Sequence, residues 1–183
     1  MKNKLFLFVA FLLAFQFAKA QDIYLTQSGN IAFFSATSME NIDATSKEAT
    51  AAINIKSKKI FFKVKNTSFH FKSSLMEEHF NENYMESEKF PYTQFSGEVV
   101  DVVDFAKDGV YEVSVKGKMT LHGVEKEYTT KGTITVKDGK ISAHAKFNIK
   151  MADHQIKIPS LVGANIAEAV DVTVDATFEP QKK

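Results

Sequence analysis

The chain contains no cysteine and no arginine. Without cysteine there is no disulfide framework, no thiolate nucleophile, no thiolate metal site and no acylated cysteine behind a leader. Stability must then come from core burial and a closed, hydrogen-bonded sheet. Without arginine the chain lacks the planar fork that suits phosphates and base edges, and nucleic-acid binding is not expected. A Gly-x-Ser-x-Gly elbow and a phosphate-binding loop are also missing, so no pattern supports catalysis. The five histidines, His70, His79, His122, His144 and His154, show no i, i+4 pairing, and no metal or cofactor is expected. Glu77, Glu78, Glu82, Glu86 and Glu88 cluster, which reads as a solvated acidic face.

What is present begins with a three-part leader. Lys2 and Lys4 precede an unbroken apolar run from Leu5 to Phe15, and Ala18-Lys19-Ala20 follows as a small-x-small cleavage pattern. The run is too short to span a membrane, which takes ~20 apolar residues. The sequence therefore predicts a signal peptide over 1–20 and export of a single domain over 21–183, periplasmic or secreted. Loss of Lys2, Lys4 and Lys19 leaves 20 Lys against 22 Asp and Glu.

The exported part alternates apolar and polar residues with period two, the pattern of half-buried strands. Tyr111, Val113, Val115, Gly117, Met119 and Leu121 share one face. Tyr128, Thr130, Gly132, Ile134 and Val136 share another, as do Ile141, Ala143, Ala145, Phe147, Ile149 and Met151. The same holds for Val170 through Phe178, for Ile31 through Thr37, for Ala49 through Ile55 and for Ile60 through Val64. A further strand is expected over Tyr92 to Val103. Asp138-Gly139 marks a hairpin of the type that needs positive φ at both central residues, and His122-Gly123 marks a second break. One helix is expected near Leu75, Met76, His79, Phe80 and Asn83, capped by Ser73 or Ser74, and a second short helix at 164–169. About eight strands with one apolar face each suggest an antiparallel barrel or a sandwich, and the length of several of them suits an up-and-down barrel, which hides its edges, better than a Greek-key sandwich. A barrel of that size is filled by side chains or holds one small ligand.

Phenylalanines crowd the middle third, from Phe61 to Phe105. An ordinary core and an apolar pocket use the same residues, so composition leaves both readings open.

The segment Gly117-Lys118-Met119-Thr120-Leu121-His122-Gly123-Val124-Glu125-Lys126 resembles the Leu-Thr-(Ile/Leu)-His-Gly-Val hairpin of the YceI-like family. Phe90-Pro91-x-x-x-Phe95 is similar to that family's Phe-Pro-x-x-x-Phe element, and Lys146-Phe147-Asn148 and the closing alternation fit as well. The resemblance implies an extended eight-stranded, lipocalin-like barrel with one or two short helices. It also implies a tunnel for an amphiphile such as a polyisoprenoid, an isoprenoid quinone or a fatty-acid derivative, a non-catalytic role, and a homodimer among the possible arrangements. The apolar lining it suggests is Ile31, Phe33, Ile53, Phe62, Phe69 and Phe71. Leu75, Phe80, Phe95, Val113, Val115 and Met119 continue it, as do Ile134, Phe147, Ile149, Val172 and Val174. His79, Tyr84, Tyr92 and His122, at element ends, are the candidates for a polar mouth. The chain departs from the family's Asp-x-x-His-Ser approach at Thr26-Gln27-Ser28-Gly29-Asn30, and the connection from Met39 to Lys47 is short. Both departures are expected near the mouth. The competing expectation is a structural or stress-response interaction protein whose barrel is filled by its own side chains.

Overall fold

The computed structural model describes residues 22–36, 41–157 and 168–181. The expected signal peptide and most of the second helix lie outside the described residues. Among the described residues nine strands follow one another: β1 Ile23–Ser35, β2 Ile42–Asn54, β3 Lys59–Lys65, β4 His70–Phe71, β5 Tyr92–Val99, β6 Gly109–Leu121, β7 Val124–Lys137, β8 Lys140–Lys150 and β9 Ala169–Pro180. The sheet runs β1-β9-β8-β7-β6-β5-β3-β2, and β1 pairs back onto β2. This closes an eight-stranded antiparallel barrel. The two-residue β4 hangs on β2 opposite Ala44 and Thr45. Closure leaves no open edge among the long strands, which suits a chain with no disulfide.

The strand phase follows the alternation. In register across β6, β7 and β8, Tyr111 faces Ile134 and Ile134 faces Ala143, so these rows share the inside. Two-residue turns join β6 to β7 and β7 to β8. His122 (φ 51°) with Gly123 (φ 73°), and Asp138 (φ 50°) with Gly139 (φ 73°), carry the paired positive φ values of a type I′ turn. Gly123 is doubly required, because a Cβ there would collide with the Phe90 ring. The two family-like motifs thus interlock: Phe90 also packs on the His122 ring at 4.7 Å. Phe95 does the same for the sheet. Its ring covers the directly paired Gly97 and Gly117, where any Cβ would strike it.

Four corrections to the sequence reading concern local structure. β5 ends at Val99 rather than Val103, and Val102 is 89% exposed. The chain leaves the sheet there because Asp101 accepts the amide of Ser114, while Val103 and Phe105 turn back onto the barrel end. The helix, α1, spans Ser74–His79, and Ser73 caps it through its carbonyl rather than its side chain. The stretch Thr26 to Asn30, expected near the mouth, lies in the interior of β1 and does not border the cavity; a register shift there sets Gly29 against Ala49. Likewise Ile42 to Lys47 already belongs to β2.

The core is uneven along the barrel axis. The end formed by the β2–β3 and β5–β6 connections and the Asp138-Gly139 turn is packed solid by Ile53, Val99, Val136, Ile141 and Phe178, all buried. The opposite end, where α1 and the His122-Gly123 turn sit, holds two smaller clusters around Met119, Leu121 and Ile149 and around Ala44, Val64 and Phe69.

Candidate functional site

Between these packed regions the barrel encloses a cavity of about 370 Å³. That volume lies within the range of small-molecule pockets. Small inward residues make the room: Gly132 carries no side chain, and Ala143 and Ala145 carry only a methyl. Gly132 cannot be larger, since a Cβ would press on the His144 carbonyl. The apolar residues around this space, such as Phe33, Phe62, Phe95, Val115, Phe147 and Val174, face inward yet are only half-buried. Side chains that interlocked across the axis would be shielded from one another's side as well, so these line a space rather than fill it.

The structure places most of the expected lining on this wall: Ile31, Phe33, Phe62, Phe69, Phe71, Phe80, Phe95, Val113, Val115, Met119, Ile134, Phe147, Ile149, Val172 and Val174. Tyr84 and His79 also border it. Four expected residues do not. Ile53 points inward but is sealed in the solid end. Leu75 is 57% exposed, because the inward helical face runs through Met76, His79 and Phe80 and Leu75 falls about a quarter-turn away. Tyr92 is on the outer face of β5, 41% exposed, with the Lys63 ammonium 3.9 Å from its ring. His122 turns back within the hairpin and hydrogen-bonds the His154 carbonyl.

The aromatic residues at the α1 end form one cluster. Phe33 lies 5.5 Å from Phe69, 5.7 Å from Phe71 and 5.4 Å from Phe80, and Phe80 is 5.1 Å from Phe71. Such ring pairs add to simple burial, and they pin α1 across the barrel end. Directly after α1 the chain widens into a π-helical turn, Phe80–Tyr84, in which the Met85 amide bonds the Phe80 carbonyl. The wider turn brings Tyr84, rather than Asn83, onto the cavity beneath Phe80. His79 is exposed and also borders the cavity, so the space meets solvent beside α1.

Two buried polar networks frame the wall, and neither leaves a charge in it. Asn66 is fully buried; its amide nitrogen donates to the Phe90 carbonyl at 2.6 Å, and its oxygen accepts the Thr93 hydroxyl at 2.8 Å. His154 is also fully buried. Its Nδ1 lies 3.1 Å from the Val124 carbonyl, which only accepts, so Nδ1 carries the proton and Nε2 accepts the Tyr128 hydroxyl at 2.8 Å. Burial pushes the His154 pKa down, and burial with the nearby Asp153 carboxylate pushes the Tyr128 phenol up to about 12. Burial raises Tyr84 as well. At neutral pH the wall is therefore uncharged at these positions, and both His154 nitrogens are engaged.

Among the described residues no carboxylate borders the cavity. Lys63 borders it, but its ammonium lies over Tyr92 on the outside. His144, expected on the polar face, pairs with Asp175 at 2.7 Å outside the barrel. Among the described residues no group of three potential metal ligands forms. The residues that sequence reasoning missed on the wall include Met76, Tyr128, Thr130, Ala145 and Asn66. Tyr128, Thr130 and Ala145 were legible as inward positions of their strands; their small size or polarity hid them.

The YceI-like domain profile matches residues 16–178. No curated protein matches the chain. Among solved structures, a polyisoprenoid-binding domain from Saccharophagus degradans, implicated in plant cell wall breakdown, superposes with a TM-score of 0.75 at 15% identity, over 88% of this chain and 99% of that one. BcnA of Burkholderia cenocepacia gives 0.69 at 11% identity, over 82% and 96%. The YceI protein of Campylobacter jejuni gives 0.63 at 17% identity, over 81% and 90%. At these identities the likeness establishes the fold.

Proposed function

The chain belongs to the YceI-like domain family, and from that premise we propose that it is an exported, non-catalytic carrier of a long-chain amphiphile. One observation carries the reading: a barrel core that leaves an apolar cavity of about 370 Å³ where a self-filled core would have none. The description of the Saccharophagus degradans relative as polyisoprenoid-binding supports a polyisoprenoid, quinone or fatty-acid derivative as cargo. The leader-like start of the sequence supports export.

The physics of the site favours an uncharged head. Apolar burial yields ~0.8 kcal/mol per methylene, so a chain alone supplies the driving force. An ionised head would need a partner charge when desolvated, and the described wall offers hydroxyls and the amides of Asn66 and Gln94 instead. The head is held by neutral hydrogen bonds or stays at the solvent-facing end near His79 and Tyr84. The engaged nitrogens of His154 and the high pKa of Tyr128 support a role without proton transfer to the cargo.

Calorimetric titration with farnesol and with a short-chain quinone tests this. Binding with a negative heat-capacity change, and recovery of the cargo chemically unaltered, are expected. Absence of uptake for isoprenoid alcohols, quinones and fatty-acid amides alike would overturn it.

A further inference from the structure

We propose that the cavity is blind and acts as a length gauge, its floor of Ile60, Val113 and Ile134 stopping the tail of a single chain that enters from the α1 end. The inference rests on the carrier reading above and adds the cargo's length and direction to it.

The floor is built from two layers. Ile60, Val113 and Ile134 border the cavity and are themselves buried. Behind them Ile53, Val99, Val136, Ile141 and Phe178 are buried and do not border it. Phe178 braces this layer edge-on against Phe62 at 6.2 Å. Outside the second layer the β5–β6 connection closes over the barrel end: Val103 and Phe105 pack down on it, and the Tyr111 hydroxyl ties the connection by hydrogen-bonding the Asp104 and Lys107 carbonyls, each at 3.0 Å. A chain therefore cannot thread through, and its head must remain at the α1 end, where His79 meets solvent.

Depth follows from strand geometry. The cavity wall on β8 runs from Ile149 to Ala143. At ~3.3 Å per residue and a tilt of ~40°, that stretch is about 15 Å along the axis. An extended chain advances ~1.2 Å per bond, so about a dozen carbons fit before the tail meets Ile134.

Until that point each added carbon removes one more methylene from water, worth about fourfold in Kd. Beyond it each added carbon stays outside and the gain stops. Titration calorimetry of the intact protein with 1-alkanols of six to about sixteen carbons reads the break directly, expected near about a dozen carbons. Two variants move the floor in opposite directions. Ala143→Leu, opposite Ile134 in register, raises it and should bring the break about two carbons earlier. Ile134→Ala lowers it and should delay the break by a similar amount. Should Ile134→Ala fail to fold, Ala143→Leu, which fills existing space, still decides the matter. A wild-type affinity that keeps rising through about sixteen carbons, or a break that Ala143→Leu leaves in place, overturns the gauge while the carrier reading stands. No alkanol binding at any length overturns the gauge, and it overturns the carrier reading as well where farnesol, the quinone and a fatty-acid amide also fail to bind.

Discussion

Replacing Ala145 by phenylalanine should abolish uptake of a long chain while leaving the barrel at least as stable. Ala145 borders the cavity midway along β8, in register with Gly132 on one side and Val174 on the other. Neither neighbour fills the axis. The added ring places six carbons where a bound chain would run, displacing about five methylenes. At ~0.8 kcal/mol each, binding weakens by about 4 kcal/mol, or roughly a thousandfold in Kd. In the empty barrel the same ring occupies vacant space and gains contacts, so urea unfolding should shift to the same or a higher midpoint. A core already filled by its own side chains responds in the opposite sense, because overpacking costs ~1–3 kcal/mol. Loss of about that much stability, with chain uptake unchanged, would refute the reasoning.

Gly123→Ala should destabilise the barrel by about 1–3 kcal/mol, since the residue needs φ 73° and has the Phe90 ring against it; thermal unfolding measures this, and a change below ~0.5 kcal/mol would count against the interlock of the two motifs. Acidification should weaken the fold through His154. Its native pKa is held below the ordinary 6.5 by burial, so below pH 6.5 the unfolded chain binds a proton that the folded one refuses. Stability is then unaffected above that pH and falls by at most about 1.4 kcal/mol per pH unit below it, until the native pKa is reached. Urea midpoints at pH 7.5 and 5.5 read the effect; in His154→Gln the part due to this group should vanish. Expressed in a bacterial host, the protein should appear in the periplasmic fraction with the intact mass of a chain beginning at Gln21; a full-length mass confined to the cytosol would contradict export.

The barrel was legible in the sequence because a period-two pattern is a local property repeated along long strands, as in Tyr111 to Leu121 and Ile141 to Met151. The turns His122-Gly123 and Asp138-Gly139 were legible for the same reason: two adjacent residues with positive φ leave a mark in the chain itself. What the face surrounds was not legible. Phe147 lines a cavity and Phe178 plugs its end, yet both are inward phenylalanines on alternating strands. The difference lies in tertiary packing: Phe178 is fully buried among Ile53, Val99, Val136 and Ile141, whereas Phe147 is half-buried beside Tyr128 and borders the open space. The helix misled at Leu75 because one residue of phase moves a side chain by about 100°. A π turn beginning at Phe80 is set by tertiary packing of the phenylalanine cluster, and nothing in the spacing of Phe80 to Tyr84 announces it. Tyr92 and His122 sit at element ends, where either direction was open, and both turn outward from the cavity to partners that are distant in sequence: Lys63 for one, His154 for the other.

The central claim is that the barrel interior is occupied in its working state by a neutral long-chain molecule. Protein purified from cells without detergent, extracted with organic solvent and analysed by mass spectrometry tests it most directly. The account predicts close to one equivalent of a single-chain, uncharged amphiphile per protein, absent from Ala145→Phe prepared in parallel. An extract from the wild-type protein that is free of lipid, or one whose lipid is unchanged in the variant, would contradict it.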